Sequence, residues 1–383
     1  MANPNNPLLE LKQLGQVVWL DSIRRGQIKS GELKNLIETD GLTGETANPS
    51  IFEKAIVGSS DYDEAIRQMA DAKTPLEIYE TLAIQDVQMA ADVFRPIYDQ
   101  TQGADGFVSL EISPKLAHDT KGSIAEAERF FKALNRPNVF IKIPGTKEGA
   151  PAIEECLYRG ININITLLFA LQAYEDVAWA YIRALERRAA EGKPIERVAS
   201  VASFFVSRID TLADKLIEVE LRSTTDVARR AKLNALEGKI GIANAQLAYQ
   251  AFKRIFSDPR FVALQAKGAR VQRPLWASTS TKDPRWSDIL YVEALIGPQT
   301  INTLPLETIN DYRDHGHPRL TIEQNVAGAR QIFQNLAELG LDFDAITQQV
   351  LDEGVEKFDQ ALDQLLQSIE TKRVAHTVAR VTR

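Results

Sequence analysis

Eight short apolar runs, each separated from the next by a stretch long enough for a helix, set the pattern of this chain. They fall at residues 16–20, 42–46, 106–112, 138–143, 161–165, 197–203, 271–277 and 299–303. Strands joined by helix-length segments pair in parallel, because parallel neighbours need a crossover rather than a tight turn. Eight such units fit a closed α/β barrel, the (β/α)8 or TIM barrel, better than an open doubly wound sheet. No Gly-x-Gly-x-x-Gly follows the first run, so a dinucleotide-binding fold has no positive support. No low-complexity linker interrupts the 383 residues. The expectation is one barrel domain over 1–383, with a helical insertion at about 214–268 and C-terminal helices at about 321–370.

The intervening stretches carry helical periodicity. Leu76, Tyr79, Leu82, Ala83, Asp86, Met89, Ala90, Val93, Phe94 and Ile97 recur at near-3.6 spacing and predict a helix over 76–99. Residues 167–190 and 208–222 read similarly, and the link from 208 to 270 has room for two or three helices. The tail from Thr371 is basic (Lys372, Arg373, Arg380, Arg383) and reads as either frayed or folded back on the body.

Charge narrows the choice of partner. A net charge of −7 and an isoelectric point near 5.4 argue against nucleic acid or an anionic membrane as the main partner. An anionic substrate would then be held by a few local cations. The single cysteine, Cys156, excludes an internal disulfide, fits a reducing compartment, and lies on a helical pattern as a packing residue. The start, Met-Ala-Asn-Pro-Asn-Asn-Pro, lacks the charged and apolar regions of a signal peptide, and no window approaches 18 apolar residues. The expected compartment is the cytoplasm. A homo-oligomer is compatible with the sequence but not fixed by it.

In a barrel, one face of each strand points to the lumen, and active sites form at the C-terminal strand ends. Polar residues recur there in a common phase. In Asn-Val-Phe-Ile-Lys-Ile-Pro (138–144), Val139, Ile141 and Ile143 share one face and Phe140 and Lys142 the other. Asp21 ends the first run in phase with Val17 and Trp19. Ser109 and Glu111 oppose Val108, Leu110 and Ile112 in the third. Asn162, Asn164 and Thr166 alternate with Ile161, Ile163 and Ile165 in the fifth. Ser203 and Ser278 end the sixth and seventh, and the second leads into Asn48-Pro49. Each has a plainer reading: Lys142 and Glu111 as solvated strand ends, Asp21 as a helix N-cap, Asn164 and Thr166 as helix-entry residues. Together they bring a lysine, two carboxylates, two amides and several hydroxyls to one rim, which is an expected catalytic site.

These groups suit one chemistry. A buried lysine is costly as an isolated ammonium, and its neutral amine attacks carbonyl carbon. The resulting protonated imine is an electron sink for carbon–carbon cleavage. Two carboxylates in different surroundings can divide the proton transfers. Arg208 and Lys282, just past the sixth and seventh runs, are the candidate phosphate-binding cations; the plain alternative is that both are surface charges.

The segments carrying these residues resemble the transaldolase family in its longer bacterial form. They are Val-Trp-Leu-Asp-Ser-Ile (18–23), Thr-Ala-Asn-Pro-Ser-Ile-Phe (46–52), Val-Ser-Leu-Glu (108–111), Asn-Val-Phe-Ile-Lys-Ile-Pro-Gly-Thr (138–146), Asn-Ile-Thr-Leu-Leu-Phe (164–169), Ser-Phe-Phe-Val-Ser-Arg (203–208) and Trp-Ala-Ser-Thr-Ser-Thr-Lys (276–282). All seven run in family order. The resemblance implies transfer of a dihydroxyacetone unit from a ketose phosphate (sedoheptulose 7-phosphate or fructose 6-phosphate) to an aldose phosphate, in the nonoxidative pentose phosphate pathway. It implies that Lys142 forms the Schiff base and Asp21 takes the C4 hydroxyl proton. Glu111 and Thr166 handle carbinolamine protons through water. Asn48 and Asn164 hold the dihydroxyacetone hydroxyls with Ser203 beside them, and Arg208 binds phosphate. Lys282 transfers less directly, because the loop after the seventh strand varies in length among family branches.

Three positions depart from the family pattern. Glu45 replaces an apolar residue; its phase faces the helix layer, so either it pairs with a cation there or the strand begins later. Ala47 lacks the usual hydroxyl, which would weaken ketose binding. Phe204 replaces a proline of shorter members, with little expected consequence. Three other readings compete: a Schiff-base aldolase that releases free dihydroxyacetone, a silent sugar-phosphate-binding barrel, and a metal-dependent aldolase. The intact lysine and carboxylates oppose the silent barrel. Of His118, His315, His317 and His376, only His315 and His317 are close-spaced, in a loop with no evident carboxylate partner, so no metal site and no cofactor are expected.

Overall fold

The computed structural model describes residues 6–381, with side chains through Val374. Residues 1–5 and the side chains of His376, Arg380 and Arg383 lie outside the described part. Helix α1 (Pro7–Gln13) leads into β1 (Gln16–Leu20), and α2 (Arg25–Lys29) and α3 (Glu32–Asp40) connect to β2 (Gly44–Thr46). Three helices follow, α4 (Pro49–Val57), α5 (Asp63–Met69) and α6 (Pro75–Gln100), before β3 (Phe107–Glu111). Then come α7 (Thr120–Leu134), β4 (Val139–Pro144), α8 (Gly149–Arg159), β5 (Ile163–Leu168), α9 (Leu171–Ala190) and β6 (Ser200–Phe205). Four helices, α10 (Ser207–Ser223), α11 (Val227–Asn234), α12 (Ile240–Phe256) and α13 (Pro259–Gln265), lead to β7 (Arg273–Ala277). Helix α14 (Leu290–Ala294) precedes β8 (Thr300–Leu304), and α15 (Leu306–His315), α16 (Val326–Leu339) and α17 (Phe343–Val381) complete the described chain.

The eight strands pair in parallel, each with its sequence neighbour, and β8 closes on β1. The chain is therefore a (β/α)8 barrel with extra helices. Strand edges differ by a few residues from the apolar runs: β5 and β6 begin two or three residues late because Asn162 and Ala199 still belong to the entering loops. Asn162 holds those loops with its own side chain, donating to the carbonyls of Pro137 and Val139 and accepting from the Ala199 N–H. The link between β6 and β7 holds four helices rather than two or three, because Asp226 and Asp258 each cap a short extra helix from the side chain.

Two apolar layers result. Outward-facing residues such as Val108, Ile141, Ile143, Ile163 and Ile165 pack against the helices. Lumen residues Trp19, Phe107, Phe140, Val201, Leu275 and Ile301 form a second cluster in the lower barrel. Gly44 permits the layer on β2: a Cβ there would lie 2.6 Å from the Trp19 indole. The upper lumen is left to the polar residues.

Helix α17 crosses the C-terminal face. Lys115 pairs with Asp363 at 2.8 Å, and Lys372 donates to Asp63 at 2.6 Å and to the carbonyls of Ile56 and Ser59. Arg373 donates to the Ala70 carbonyl. The basic tail thus folds back on the body at least to Arg373. Gly354 of this helix sits over β5 and α10, where an added Cβ would lie 3.0 Å from Leu167 and 3.3 Å from the Arg208 guanidinium.

Candidate active site

The rim at the C-terminal strand ends brings the expected residues together. Lys142 and Glu111 are adjacent in the β3–β4 register, and each is only 4% exposed, so neither is a solvated strand end. Lys142 Nζ lies 3.0 Å from Glu111 Oε2 and donates to the Ala47 carbonyl at 3.1 Å. That contact uses the backbone of residue 47, so the missing side-chain hydroxyl does not alter it. Burial raises the Glu111 carboxyl above the usual carboxylate range; Lys142 and Arg208 oppose the rise, and Asp21 adds to it.

Asp21 does not cap a helix, since the N-cap of α2 is Arg24. Instead its Oδ1 accepts from Thr46 Oγ1 at 2.7 Å, and Thr46 meets Thr303 Oγ1 at 2.7 Å. Burial also raises Asp21, against the Thr46 hydrogen bond and the charges of Lys142, Arg208 and Lys282. Asn164 and Thr166 lie inside β5, not at a helix entry. Asn164 Nδ2 donates to Ser109 Oγ at 3.1 Å, and Asn164 Oδ1 accepts from Ser203 Oγ at 2.7 Å. The Thr166 hydroxyl is buried with no hydrogen-bond partner among the described residues. Asn48 caps α4, its side chain accepting from the Ile51 N–H at 3.0 Å.

Beyond the rim, Ser278 follows β7 with φ 55° and meets Ser207 Oγ at 2.9 Å. Lys282 is exposed and donates to Ser280 Oγ at 2.5 Å. Arg208 stacks between Phe205 and Phe358, 5.1 and 5.7 Å from the ring centroids, and has no ion pair among the described residues. Burial lowers its pKa, while Asp21, Glu111 and Glu353 favour its charge. Lys357 of α17 is lowered too, by burial and then by the charges of Arg208, Lys54 and Lys282. Cations from α4, α10 and the β7–α14 loop thus all bear on Lys357 of α17.

Three expectations need correction. Glu45 pairs with no cation among the described residues, and although β2 does begin later than the run at 42–46, at Gly44, Glu45 still lies inside it; both of its carboxyl oxygens are buried with no partner among the described residues. Burial raises the Glu45 carboxyl well above its ordinary value, and the charge of Asp86, itself 2.7 Å from Arg25, raises it further. His315 does have carboxylate partners: its Nε2 lies 2.9 Å from Asp288 and its Nδ1 3.3 Å from Asp314, at an exposed surface. Strand six extends past Ser203 to Phe205, and strand seven stops at Ala277, one residue before Ser278. Thr46, Thr303, Lys54 and Lys357 escaped the sequence reading. Thr46 and Thr303 share the lumen phase and were legible in principle; nothing local marks Lys357.

Fold and site define a barrel enzyme built around a buried lysine–carboxylate pair. A family model described as "Transaldolase/Fructose-6-phosphate aldolase" matches residues 18–369. The chain is 47% identical to a "Transaldolase" of Trichodesmium erythraeum and 48% identical to a "Transaldolase 2" of Nostoc punctiforme, each over 96% of this chain and 97% of the relative. It is 45% identical to a "Transaldolase" of a Parafrankia species over 95% and 97%. The chain belongs to the transaldolase family, and its activity is that of a transferase.

Proposed function

We propose that the transfer runs through a Schiff base on Lys142. The observation that carries this reading is a buried lysine whose Nζ is 3.0 Å from a raised-pKa carboxyl, Glu111, with Asp21 close enough to act on both. Glu111 takes the proton that Nζ sheds as it attacks the C2 carbonyl of a ketose phosphate. Glu111 and the Thr166 hydroxyl then pass protons through water as the carbinolamine loses its oxygen. Asp21 removes the C4 hydroxyl proton, the C3–C4 bond breaks, and its electron pair enters the imine to give an enamine. The first aldose phosphate leaves. A second aldose phosphate is attacked by the enamine, and water releases the new ketose from Lys142.

Asn164, held by Ser203 and Ser109, and Asn48 present amides to the dihydroxyacetone hydroxyls. Arg208 and Lys282 hold the phosphate, with Lys357 and Lys54 adding charge and Ser278 beside them. Glyceraldehyde 3-phosphate and erythrose 4-phosphate serve as acceptors, in the nonoxidative pentose phosphate pathway. The reaction belongs in the cytoplasm. The lysine itself supplies the electron sink. The test is acceptor dependence. Turnover of fructose 6-phosphate should require erythrose 4-phosphate; release of free dihydroxyacetone at the same rate without acceptor would instead make the enzyme a simple aldolase.

A further inference from the structure

At the opposite end of the barrel, the N-terminal ends of β3, β4, β6 and β7 surround a cavity of about 270 Å³. Phe107, Phe140 and Val201 line its apolar part, and Ser200, Arg270 and Arg273 its polar part. The two phenylalanines stack with centroids 4.3 Å apart. Beside them, the turn from α6 to β3 is gripped by arginines. Arg197 Nη1 and Arg270 Nη2 both donate to the Gln102 carbonyl, at 2.6 and 2.7 Å, and Arg273 donates to the Ala104 carbonyl at 3.1 Å.

Among the described residues, one carboxylate serves this group. Asp105 meets Arg273 at 3.3 Å, and it is already shared with the Trp19 indole N–H at 2.9 Å and the Gly106 N–H at 3.1 Å. Arg270 Nη1 is buried with no acceptor among the described residues. Arg197 and Arg273 both act against the charge of Arg270, on top of its burial. A buried charged donor without an acceptor is costly, and neighbouring like charges add to the cost. An oxyanion bound in this mouth offsets the mutual repulsion of the three arginines, and the guanidinium fork matches phosphate or carboxylate oxygens. The apolar wall favours a ligand with a flat body behind the anionic head.

We propose that this mouth is a second binding site, separate from the catalytic rim, for a small organic oxyanion: a phosphate or carboxylate head on Arg270 and Arg273, and an apolar body against Phe107 and Phe140. Phe140 stands two positions before Lys142 on the same strand face, so an occupant rests directly beneath the catalytic layer.

The experiment is calorimetric titration at low salt with phenyl phosphate, benzoate and inorganic phosphate, in an Arg208→Ala background that removes the main cation of the catalytic phosphate region. Phenyl phosphate or benzoate should still bind, with inorganic phosphate at least tenfold weaker, and the tighter of the two aromatic probes identifies the head group. Adding Arg270→Ala should weaken binding about tenfold or more. Adding Ala199→Phe, which fills the cavity and keeps every charge, should do the same and guards against a folding defect in the arginine variant. Arg270→Ala alone should leave basal turnover within about twofold. Failure of both aromatic probes to bind at millimolar concentration, or binding indifferent to both added substitutions, would overturn the proposal.

Discussion

Replacing Glu45 by valine should stabilise this protein, and the gain should grow with pH. Both carboxyl oxygens of Glu45 are buried and unpartnered among the described residues, and the charge of Asp86 acts on it in the same direction as burial. Burying an unsatisfied polar group costs about 1–3 kcal/mol, and valine is close in volume and suits a strand. The linkage adds to this. The folded-state pKa of Glu45 lies above its unfolded value, so the folded protein holds the proton longer than the unfolded chain. Stability is then fully present below the unfolded pKa and falls as pH rises toward the folded one. Valine does not titrate. Each pH unit above about 4.5 over which Glu45 stays protonated therefore widens the gap by about 1.4 kcal/mol. With an unfolding entropy of about 2.1 cal/mol/K per residue, 1 kcal/mol moves the midpoint of a chain this size by about 1.2 °C. Glu45→Val should gain about 1–4 °C at pH 5 and clearly more at pH 7, read by differential scanning calorimetry across that range. A gap that does not change with pH, or a variant less stable at pH 7, would refute the reasoning.

Other outcomes follow from the same geometry. Asp21→Ala should still form a trappable imine with fructose 6-phosphate but lose about 10²–10⁴-fold in turnover, the usual range for a removed acid/base group; normal turnover would remove Asp21 from the cleavage step. Arg208→Ala should raise KM for fructose 6-phosphate about 10–100-fold, the value of a charge-assisted contact, and leave kcat/KM for unphosphorylated fructose nearly unchanged; an unchanged KM would move the phosphate site elsewhere. Asp210, buried on α10 beneath the Gly241 N–H and the Tyr291 hydroxyl, is pushed up to about 7 by burial. Its stability contribution falls as pH rises from about 4 to about 7, so Asp210→Asn should flatten that decline by up to about 4 kcal/mol in urea titrations; an equally steep decline in the variant would contradict the assignment.

The barrel was legible because its strands are buried on both faces and read as apolar runs against helical periodicity. The lumen phase of Lys142, Glu111, Asn164 and Asp21 was legible for the same reason: strand side chains alternate, so a polar residue in an apolar run declares its face. Contacts that depend on which elements meet were not. The Ala47 carbonyl receives Lys142 across the β2–β4 gap, a backbone contact that leaves no trace in side-chain identity. Lys357 reaches the cation group only because a 39-residue terminal helix crosses the barrel mouth, with Gly354 allowing its approach. Glu45 was visible as an oddity, but the charge that acts on it, Asp86, comes from α6, 41 residues further along the chain, and local sequence does not show that they meet.

Borohydride trapping with fructose 6-phosphate, with and without erythrose 4-phosphate and followed by peptide mass spectrometry, tests the central claim most directly. The account predicts a three-carbon adduct on Lys142 that is discharged when the acceptor is added. A folded, active enzyme that yields no adduct, or one modified at a different lysine, would contradict it.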